Sequence, residues 1–421
     1  MRIETWIFFL WFLRLFKPEW ILTYYVPEAA FIRALPTGIL YLLFGYLIFS
    51  KQKIVIDKPY LLFLASHFVS TLFAINTGMA RTVLGGMVDS IIFYMLTISL
   101  IKDDKDVDWL FNFYLLSLAF YAVFGIIYKG RIPFHVILNE EDAFGPLMGI
   151  AVPFSFYLAF AYARKKYSRF LVTILSLGGL VGSFARGAFI SLCITVLFIW
   201  YKFPRKAIAT VFLLVSAILV IISAGFIHTG GSYWQELSTI EASYEQDEPR
   251  LFLWKKALKM FTSNPITGVG PANFGFVILR FTTAEELESR GVTSSYVYGR
   301  VPHNAYFQIL AELGVFGAIS IIVVIIVFWR KNEEIQKRYK EWLRTPLTDN
   351  GGPAEVGDRL RKYYYYSLGV QGALIAYLSN CMFYDLLYVN WLSDMLILNS
   401  LVYLRFKNLS SEAEPAKLKH L

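Results

Sequence analysis

The chain has 421 residues, of which 57% are hydrophobic and only 17% are charged, and its formal net charge is +9. A soluble protein of this size could not bury so much apolar surface, and the short alternating segments of a membrane β-barrel are missing from the sequence. A basic chain could bind nucleic acid, but a membrane protein carries its excess of Lys and Arg in the inner loops. We therefore expect membrane lipids and no nucleic acid among its partners.

Apolar runs of about 20 residues recur along the whole chain, and such runs predict membrane-spanning helices. The first run contains Arg14 and is not followed by a small-residue cleavage site, so we interpret it as a short membrane segment and not as a cleaved signal. The sequence predicts an all-α polytopic membrane protein with about twelve transmembrane helices. The predicted segments lie near 3–16, 34–50, 59–76, 82–101, 107–127, 144–163, 170–184, 187–201, 206–226, 304–329, 364–384 and 388–404.

Basic loops alternate between the two sides of this arrangement. One side has, together with Arg2, 26 of the 40 Lys and Arg residues, in the segments 51–58, 102–106, 163–169, 202–206, 330–363 and 405–421. Because basic loops stay on the inner side of a membrane, both termini are expected to be cytoplasmic.

This orientation divides the chain into four parts. Helices one to nine occupy residues 1–226, a long outer loop with short helices of its own covers 227–303, and helices ten to twelve cover 304–404. The inner loop 330–363 interrupts this last part, and 405–421 is a cytoplasmic tail.

The outer loop contains one strongly predicted helix, which starts at Pro249. Asp247 or Glu248 can cap it, proline suits its first turn, and the sequence Ser263-Asn264-Pro265 ends it. The helix has one apolar and one basic stripe, and such a helix either lies on the bilayer surface or caps the helix bundle. The apolar stripe consists of Leu251, Phe252, Trp254, Leu258 and Phe261, and the basic one of Lys255, Lys256 and Lys259.

Two arginines on the outer side are candidates for binding an anion. Arg186 lies in a turn between two apolar runs of about 15 residues, which are short for full spans. It could hold a phosphate group, or it could extend to the phosphates of membrane lipids. Arg250 begins the loop helix, where the helix dipole favours a negative charge over a positive one. A bound anion would explain an arginine at this position, and so would an ion pair with Glu248 or Asp247.

His303 precedes a membrane helix at its outer end. The positive end of the helix dipole should lower its pKa, so that the neutral imidazole needed by a general base predominates. A histidine that only caps the helix is the alternative. Glu312 lies about 13–14 Å further along the helix and on its opposite face, so we expect a structural role, with Asp89 or His67 as partner.

An acidic cluster in an outer loop, Glu140, Glu141 and Asp142, could attract a divalent cation. Three consecutive residues do not converge well on one ion, so we expect a solvated turn and no metal site. Aromatic residues that could stack on sugars lie along the long outer loop, although aromatic residues are frequent throughout this chain. They are Tyr233, Trp234, Tyr244, Tyr296 and Tyr298.

Three motifs together resemble the O-antigen ligase and polymerase superfamily. They are GSFARGAFIS at 182–191, PRLFLWKKALKMFTSNPITGVGPANF at 249–274 and HNAYFQILAELGVFG at 303–317. The shared pattern is Ser-x-x-Arg-Gly, then Arg-x-x-x-Trp with Asn-Pro-x-x-Gly-x-Gly, then His-Asn with Glu-x-Gly-x-x-Gly. The likeness covers roughly 140–400, and the chain departs from it at Asp142-Ala143-Phe144-Gly145, where relatives often have an asparagine shortly before the glycine.

The resemblance implies a glycosyltransferase of the bacterial inner membrane with a periplasmic active site. Members move glycans from undecaprenyl pyrophosphate either to lipid A-core, as ligases, or to a growing glycan, as polymerases. By resemblance, Arg186 and Arg250 engage the pyrophosphate, His303 is the base, and no metal or cofactor is needed. Candidate substrate-binding neighbours in the same motifs are Asn304, Trp254, Lys255, Gly268, Gly270 and Tyr306.

Other functions remain open at this point. The size of the chain, its twelve segments and its long outer loop favour a ligase over a polymerase, and the acceptor could also be a protein or another polysaccharide. A secondary transporter would place its polar groups near the membrane midplane, whereas Arg186, Arg250 and His303 are predicted at one surface. A glycan-binding protein without catalysis would need the arginines but not the histidine.

Overall fold

A computed structural model of the protein describes residues 3–50, 52–135, 137–162, 166–229, 249–344 and 354–418. Within these ranges the regular secondary structure is helical and no strand occurs, which confirms the all-α prediction. Several residues considered above lie outside the described ranges: Tyr233, Trp234, Tyr244 and the candidate caps Asp247 and Glu248.

The first ten helices are α1 (Ile3–Phe16), α2 (Pro18–Tyr25), α3 (Leu35–Phe49), α4 (Lys58–Leu72), α5 (Thr77–Leu100), α6 (Asp104–Ile127), α7 (Glu141–Ala161), α8 (Lys166–Ser183), α9 (Arg186–Lys202) and α10 (Lys206–Thr229). They are followed by α11 (Pro249–Ser263), α12 (Phe274–Val277), α13 (Ala284–Glu288), α14 (Ser294–Val297), α15 (Ala305–Arg344), α16 (Ala354–Asn380) and α17 (Trp391–Leu418). Two 3-10 helices cover Pro27–Ala34 and Ile278–Phe281. Each of the twelve predicted membrane segments coincides with one of these helices.

Among the described residues, five helical stretches are long and apolar enough to cross a membrane. They are Pro27–Phe49, Thr77–Leu100, Asp104–Ile127, Asp142–Ala161 and Ala305–Arg344. Tyr167–Ser183 and Lys206–Ile221 are apolar but shorter. The chain thus has the character of a membrane protein, while the crossing of the bilayer by all twelve segments stays a prediction.

Helices α15 and α16 extend well into the predicted inner loop 330–363. The first continues to Arg344 and the second begins at Ala354, so most of this loop is helical. Ion pairs between described residues join it to other predicted inner loops and to the first turns of α6, at one end of the bundle. These pairs are Lys202–Glu333, Lys331–Asp57, Arg359–Asp104 and Lys362–Asp108.

Residues of 249–303 fold into a small cap at the other end of the bundle. Its apolar core is built around Phe252, Met260, Phe274 and Val297, and it includes Ala311 of α15. Helix α11 therefore packs onto the bundle, and of the two placements expected for it the structure has the capping one. The cap also supports the residues that precede α15, where His303 lies.

A break in α15 fastens the cap to the bundle. Gly314 has φ 63° and ψ −161°, so the helix is interrupted there and neighbouring backbone groups lose their helical partners. On one side, the carbonyls of residues 311 and 312 accept hydrogen bonds from the amides of Val269 and Gly270, at 2.9 and 3.0 Å. On the other side, the amides of residues 315 and 316 donate to the carbonyls of Pro265 and Ile266, at 2.8 and 3.2 Å. The segment 265–270 thus pairs with both sides of the break.

The side chain of Glu312 completes this junction. It is buried, and its carboxylate accepts hydrogen bonds from the backbone amides of Ala272 and Phe274, both at 3.0 Å, and from the hydroxyl of Tyr388. The structural location expected for Glu312 is therefore observed. The expected partners were wrong, because its bonds go to the cap and to Tyr388. His67 instead contacts the carbonyl of Phe63, and Asp89 interacts with Tyr41.

Candidate active site at the capped end of the bundle

The connection 381–390 between α16 and α17 lies at the centre of the candidate site. Its Asp385 accepts hydrogen bonds from two consecutive backbone amides: Oδ2 from His303 at 3.0 Å and Oδ1 from Asn304 at 3.3 Å. The next residue of α15, Ala305, donates its amide to the carbonyl of Cys381 at 2.8 Å. The start of α15 is therefore held by the connection from a distant part of the chain.

His303 is fixed in an unusual backbone conformation. Its φ is 49°, in the left-handed region that residues with a Cβ rarely adopt. The side chain is one-third exposed, and its Nδ1 lies 3.7 Å from Oδ2 of Asp385. This separation is too long for a hydrogen bond but close enough for the carboxylate to stabilise a positive charge on the imidazole.

The environment of His303 favours its neutral form. Burial lowers the pKa of the imidazole, and the charges of Arg250 and Arg300 lower it further, whereas Asp142 and Glu140 act in the opposite direction. The direction of this pKa shift agrees with the prediction, and burial is its main cause.

Burial also raises the pKa of Asp385, to about 7, although the amides of His303 and Asn304 and the charge of Arg250 act against this rise. A carboxyl group that titrates near neutral pH beside a histidine is a candidate functional group. Asp385 is not among the site residues that the sequence predicts. The available signal was an acidic residue in the very short turn predicted between the last two apolar segments.

Asn304 has its polar atoms engaged in local structure. Its Oδ1 accepts hydrogen bonds from the amides of Tyr306 and Phe307, at 3.0 and 3.2 Å, and so caps α15. Its Nδ2 donates to the carbonyl of Met382 at 3.0 Å. The asparagine of the His-Asn pair therefore aligns the helix with the connection 381–390.

Arg250 is exposed in the first turn of α11, and its charge acts on both His303 and Asp385. Trp254, one turn further, ties this helix to the histidine segment. Its Nε1 donates to the carbonyl of Pro302 at 2.9 Å, and its ring stacks on Phe307 with 5.1 Å between centroids. The spacing Arg-x-x-x-Trp thus places a cation beside the imidazole.

Arg186 is the first residue of α9, after a two-residue turn, and it is exposed. The turn packs closely on the central connection: a Cβ on Gly187 would lie 2.5 Å from Cβ of Phe383. The hydroxyl of Tyr384 accepts a hydrogen bond from the amide of Ala188 at 3.3 Å. Residues 383–385 therefore link the segments that carry Arg186 and His303.

The remaining candidate residues serve different purposes. Lys255 is exposed on α11. Gly268 and Gly270 belong to the junction with α15; a Cβ on Gly268 would lie 2.3 Å from the carbonyl carbon of Glu312. The hydroxyl of Tyr306 donates to the carbonyl of Leu378 at 2.7 Å, and its ring faces a groove between α15 and α16.

This groove is almost entirely apolar and has a volume of about 220 Å³. It begins at Ala305 and Tyr306, directly after the histidine segment, and extends along α15 to Ile325. Leu378 of α16 and Cys381 of the connection 381–390 form its other wall. An apolar channel thus starts at the polar site and continues along helices that are expected to lie in the membrane.

The acidic cluster lies near the site, since Asp142 and Glu140 both act on the pKa of His303. Glu140 and Asp142 are exposed. Within the part of the chain that the structure describes, no group of three or more His, Cys, Asp or Glu side chains is arranged to hold a metal ion.

Residues 171–322 match the family model described as O-antigen ligase. The resemblance to the O-antigen ligase and polymerase superfamily is confirmed. The matched segment includes Arg186, Arg250 and His303, and it ends before Asp385. No curated protein gives a match to the chain. The family implies a ligase- or polymerase-like glycosyltransferase of membranes that acts on lipid-linked glycans.

Proposed function

We propose that the protein transfers a glycan from undecaprenyl pyrophosphate to a hydroxyl group of lipid A-core, at the periplasmic face of the inner membrane. The observation that carries this proposal is the environment of His303. Its imidazole, whose pKa is lowered, lies 3.7 Å from Asp385 and is close enough to Arg250 for the charge of that arginine to act on it, and an apolar groove begins two residues later at Ala305.

His303 acts as the general base in this proposal. The acceptor hydroxyl gives its proton to the imidazole as its oxygen forms a bond to the anomeric carbon of the donor sugar. The bond between that carbon and the pyrophosphate oxygen breaks, and the pyrophosphate leaves with the electron pair. A base with a lowered pKa is available in its neutral form near pH 7, and Asp385 stabilises the imidazolium that results.

The two arginines provide the positive charge that the leaving group requires. Negative charge develops on the departing pyrophosphate, and guanidinium groups hold phosphate oxygens through paired, charge-assisted hydrogen bonds. Arg186 is exposed on a segment that packs on the central connection, and Arg250, which is also exposed, is close enough for its charge to act on Asp385. In this proposal they perform the electrostatic work for which many phosphate-transferring enzymes use a metal ion, so the reaction needs no metal and no cofactor.

The apolar groove supports a donor with a lipid chain. An undecaprenyl carrier must keep its pyrophosphate at the membrane surface and its hydrocarbon chain among apolar groups. The groove starts at Ala305, two residues after His303, and its lining contributes almost no polar surface. A carrier whose first isoprene units enter the groove would therefore present its pyrophosphate to the arginines.

Five of the candidate binding residues support the site in this proposal and do not contact the sugar. Trp254 and Asn304 have their polar groups bonded to backbone atoms of the histidine segment and the central connection. Gly268 and Gly270 permit the close junction with α15, and Tyr306 forms the rim of the groove. Lys255, exposed on the same helix as Arg250, remains a candidate for contact with the pyrophosphate or the glycan.

A polymerase would use the same donor and the same three residues, with a lipid-linked glycan as acceptor. The description of the matching family model and the long outer loop favour the ligase. The two activities differ only in the acceptor, so the decisive experiment offers both.

The experiment is transfer by the purified protein, supplied with an undecaprenyl-pyrophosphate glycan and either lipid A-core or a second lipid-linked glycan, in the presence of EDTA. We expect glycosylated lipid A-core, and a loss of about a hundredfold or more in His303→Ala, Arg186→Ala and Arg250→Ala. Arg280→Ala, an exposed arginine on the cap, is the matched control and should retain full activity.

Other results would change the assignment. Lengthened lipid-linked glycan in place of glycosylated lipid A-core would make the protein a polymerase. Full activity of His303→Ala with both acceptors would refute the assignment of His303 as the general base. Loss of activity on addition of EDTA would refute the metal-independent mechanism.

A further inference from the structure

Three exposed aromatic side chains form a surface on the cap next to the candidate site. Phe276, Tyr296 and Tyr298 are 38%, 50% and 52% exposed. The rings of Phe276 and Tyr298 meet edge to face, with 6.0 Å between centroids. The guanidinium of Arg300 lies 4.4 Å from the centre of the Tyr296 ring, and its Nε donates to the carbonyl of the same residue at 3.2 Å. We call these four residues the aromatic surface.

The backbone that carries these rings is firmly held. Between the two tyrosines, Val297 is buried in the apolar core of the cap. The amide of Tyr298 donates to the carbonyl of Ser294, and the amide of Gly299 donates to the carbonyl of Gly275, both at 2.9 Å. The backbone that carries the exposed rings is therefore held in place by packing and hydrogen bonds within the cap.

The aromatic surface is continuous with the site of the proposed reaction. Arg300 is three residues before His303, and its charge contributes to the lowered pKa of that histidine. A substrate whose reacting group lies at His303 would place the adjoining part of the same molecule on this surface.

We propose that the aromatic surface binds one or more sugar rings of the glycan in the donor or the acceptor. A pyranose has one face of C–H groups, which packs on the electron-rich face of an aromatic ring, while its hydroxyl or carboxylate groups meet hydrogen-bond donors at the edge. The surface offers both. The rings of Phe276, Tyr296 and Tyr298 are exposed, and the guanidinium of Arg300, which lies beside the Tyr296 ring, has further donors besides the Nε that bonds to the carbonyl of Tyr296. This inference rests on the proposed function.

Exposed aromatic residues at membrane surfaces also contact lipid headgroups. The structure nevertheless favours a sugar as the ligand of the aromatic surface. The three rings are mounted on the cap, through Val297 and Gly299, and none of them belongs to a membrane helix. Tyr296 also packs against Arg300, whose charge acts on His303, and the sugars next to the reacting group have to lie near that histidine.

Direct binding tests the inference independently of catalysis. Saturation-transfer NMR on the purified full-length protein would use two soluble probes: the core oligosaccharide and the O-antigen polysaccharide, each released from lipopolysaccharide by mild acid. We expect one probe to bind, and binding to weaken about five- to tenfold in Tyr298→Ala and Tyr296→Ala. Tyr298→Phe keeps the ring and should bind as the wild type does.

Two further variants make the measurement specific. Tyr25→Ala removes an exposed ring from another edge-to-face pair, Tyr24 and Tyr25, and should leave binding unchanged. His303→Ala should still bind the sugar while losing transfer, because the proposed base is separate from the aromatic surface. Binding of the core oligosaccharide would identify the acceptor as the bound partner, and binding of the polysaccharide would identify the donor.

The two proposals fail in different ways. If transfer is intact but neither tyrosine variant weakens sugar binding or raises the KM for either substrate, the aromatic surface is not a glycan site. If the tyrosine variants lose sugar binding in a protein that shows no transfer with any acceptor, the glycan site stands and the proposed function fails. Absence of binding by both probes, together with unchanged KM values, would overturn the inference.

Discussion

Asp385 accepts a hydrogen bond of 3.0 Å from the backbone amide of His303, a residue 82 positions earlier in the chain. This bond, with the one from Asn304, holds the histidine in a left-handed conformation that is otherwise disfavoured by about 1 kcal/mol or more. The same carboxylate lies 3.7 Å from Nδ1 of the imidazole. One side chain therefore fixes the position of the proposed base and faces the charge that the base acquires.

The first prediction concerns the pH dependence of transfer. Burial raises the pKa of Asp385 to about 7, so this carboxyl is protonated below that pH and ionised above it. Only the ionised form stabilises the imidazolium of His303, so kcat should rise as the pH increases through about 7. Asp385→Asn cannot ionise, and its kcat should be lower and lack this rise. The measurement is kcat against pH for the two proteins.

A control variant and the pH profile of Asp385→Asn test this prediction. Glu285→Gln, which neutralises an exposed carboxylate on the cap, should leave the profile unchanged. A wild-type profile that is flat between pH 6 and 8 would contradict the prediction. A rise that persists in Asp385→Asn would assign it to another group, and Asp142 and Glu140 are the candidates because their charges act on His303.

The second prediction separates a structural from a catalytic role for Glu312. In Glu312→Ala the amides of Ala272 and Phe274 and the hydroxyl of Tyr388 lose their acceptor in a buried place. At about 1–3 kcal/mol for each group left unsatisfied, we expect the cap to be destabilised by about 3 kcal/mol or more. Glu312→Gln keeps one acceptor oxygen and should lose less. Thermal unfolding and protease resistance of the cap measure the effect.

Measuring the activity of the same variants distinguishes a structural role of Glu312 from a catalytic one. If Glu312 is structural, the Gln variant should retain most of its activity per folded molecule at a temperature where it is folded. A variant that folds with wild-type stability and yet loses activity a hundredfold would show that the carboxylate takes part in the reaction.

The third prediction tests the break in α15. A Cβ on Gly314 would lie 2.5 Å from the carbonyl carbon of Ile266, at a φ of 63°. Gly314→Ala should therefore destabilise the junction by at least about 2 kcal/mol. Gly45→Ala is the control, because Gly45 lies inside α3 with open space around it and alanine favours a helix. Equal melting temperatures of the two variants would argue against a fixed break.

The helices could be predicted from the sequence because apolar runs and flanking charges are local signals. The break at Gly314 could not, since a glycine inside an apolar run also fits a continuous helix. The break can be recognised only from its contacts with the segment 265–270, which supplies the missing backbone hydrogen-bond partners from about 45 residues earlier in the chain. The Asn-Pro-x-x-Gly-x-Gly and Glu-x-Gly-x-x-Gly motifs are therefore two sides of one contact.

The candidate site was only partly predictable for the same reason. Arg186, Arg250 and His303 stand out because each is a polar residue at the outer end of an apolar or helical segment. Asp385 has its role only through contacts with the start of α15, which no local pattern encodes. The direction of the pKa shift of His303 followed from its position, whereas its main cause, burial, required the packing of the cap and the connection 381–390.

The last prediction concerns the apolar groove between α15 and α16. Ala318→Phe places a large side chain in the groove and should raise the KM for an undecaprenyl-pyrophosphate donor about tenfold, because part of the lipid chain loses its place. A donor with a short isoprenoid chain should be affected much less. Ile319→Phe is the control, since Ile319 is exposed and does not line the groove. Equal KM increases for long and short donors would show that the groove shapes the headgroup site and does not hold the lipid chain.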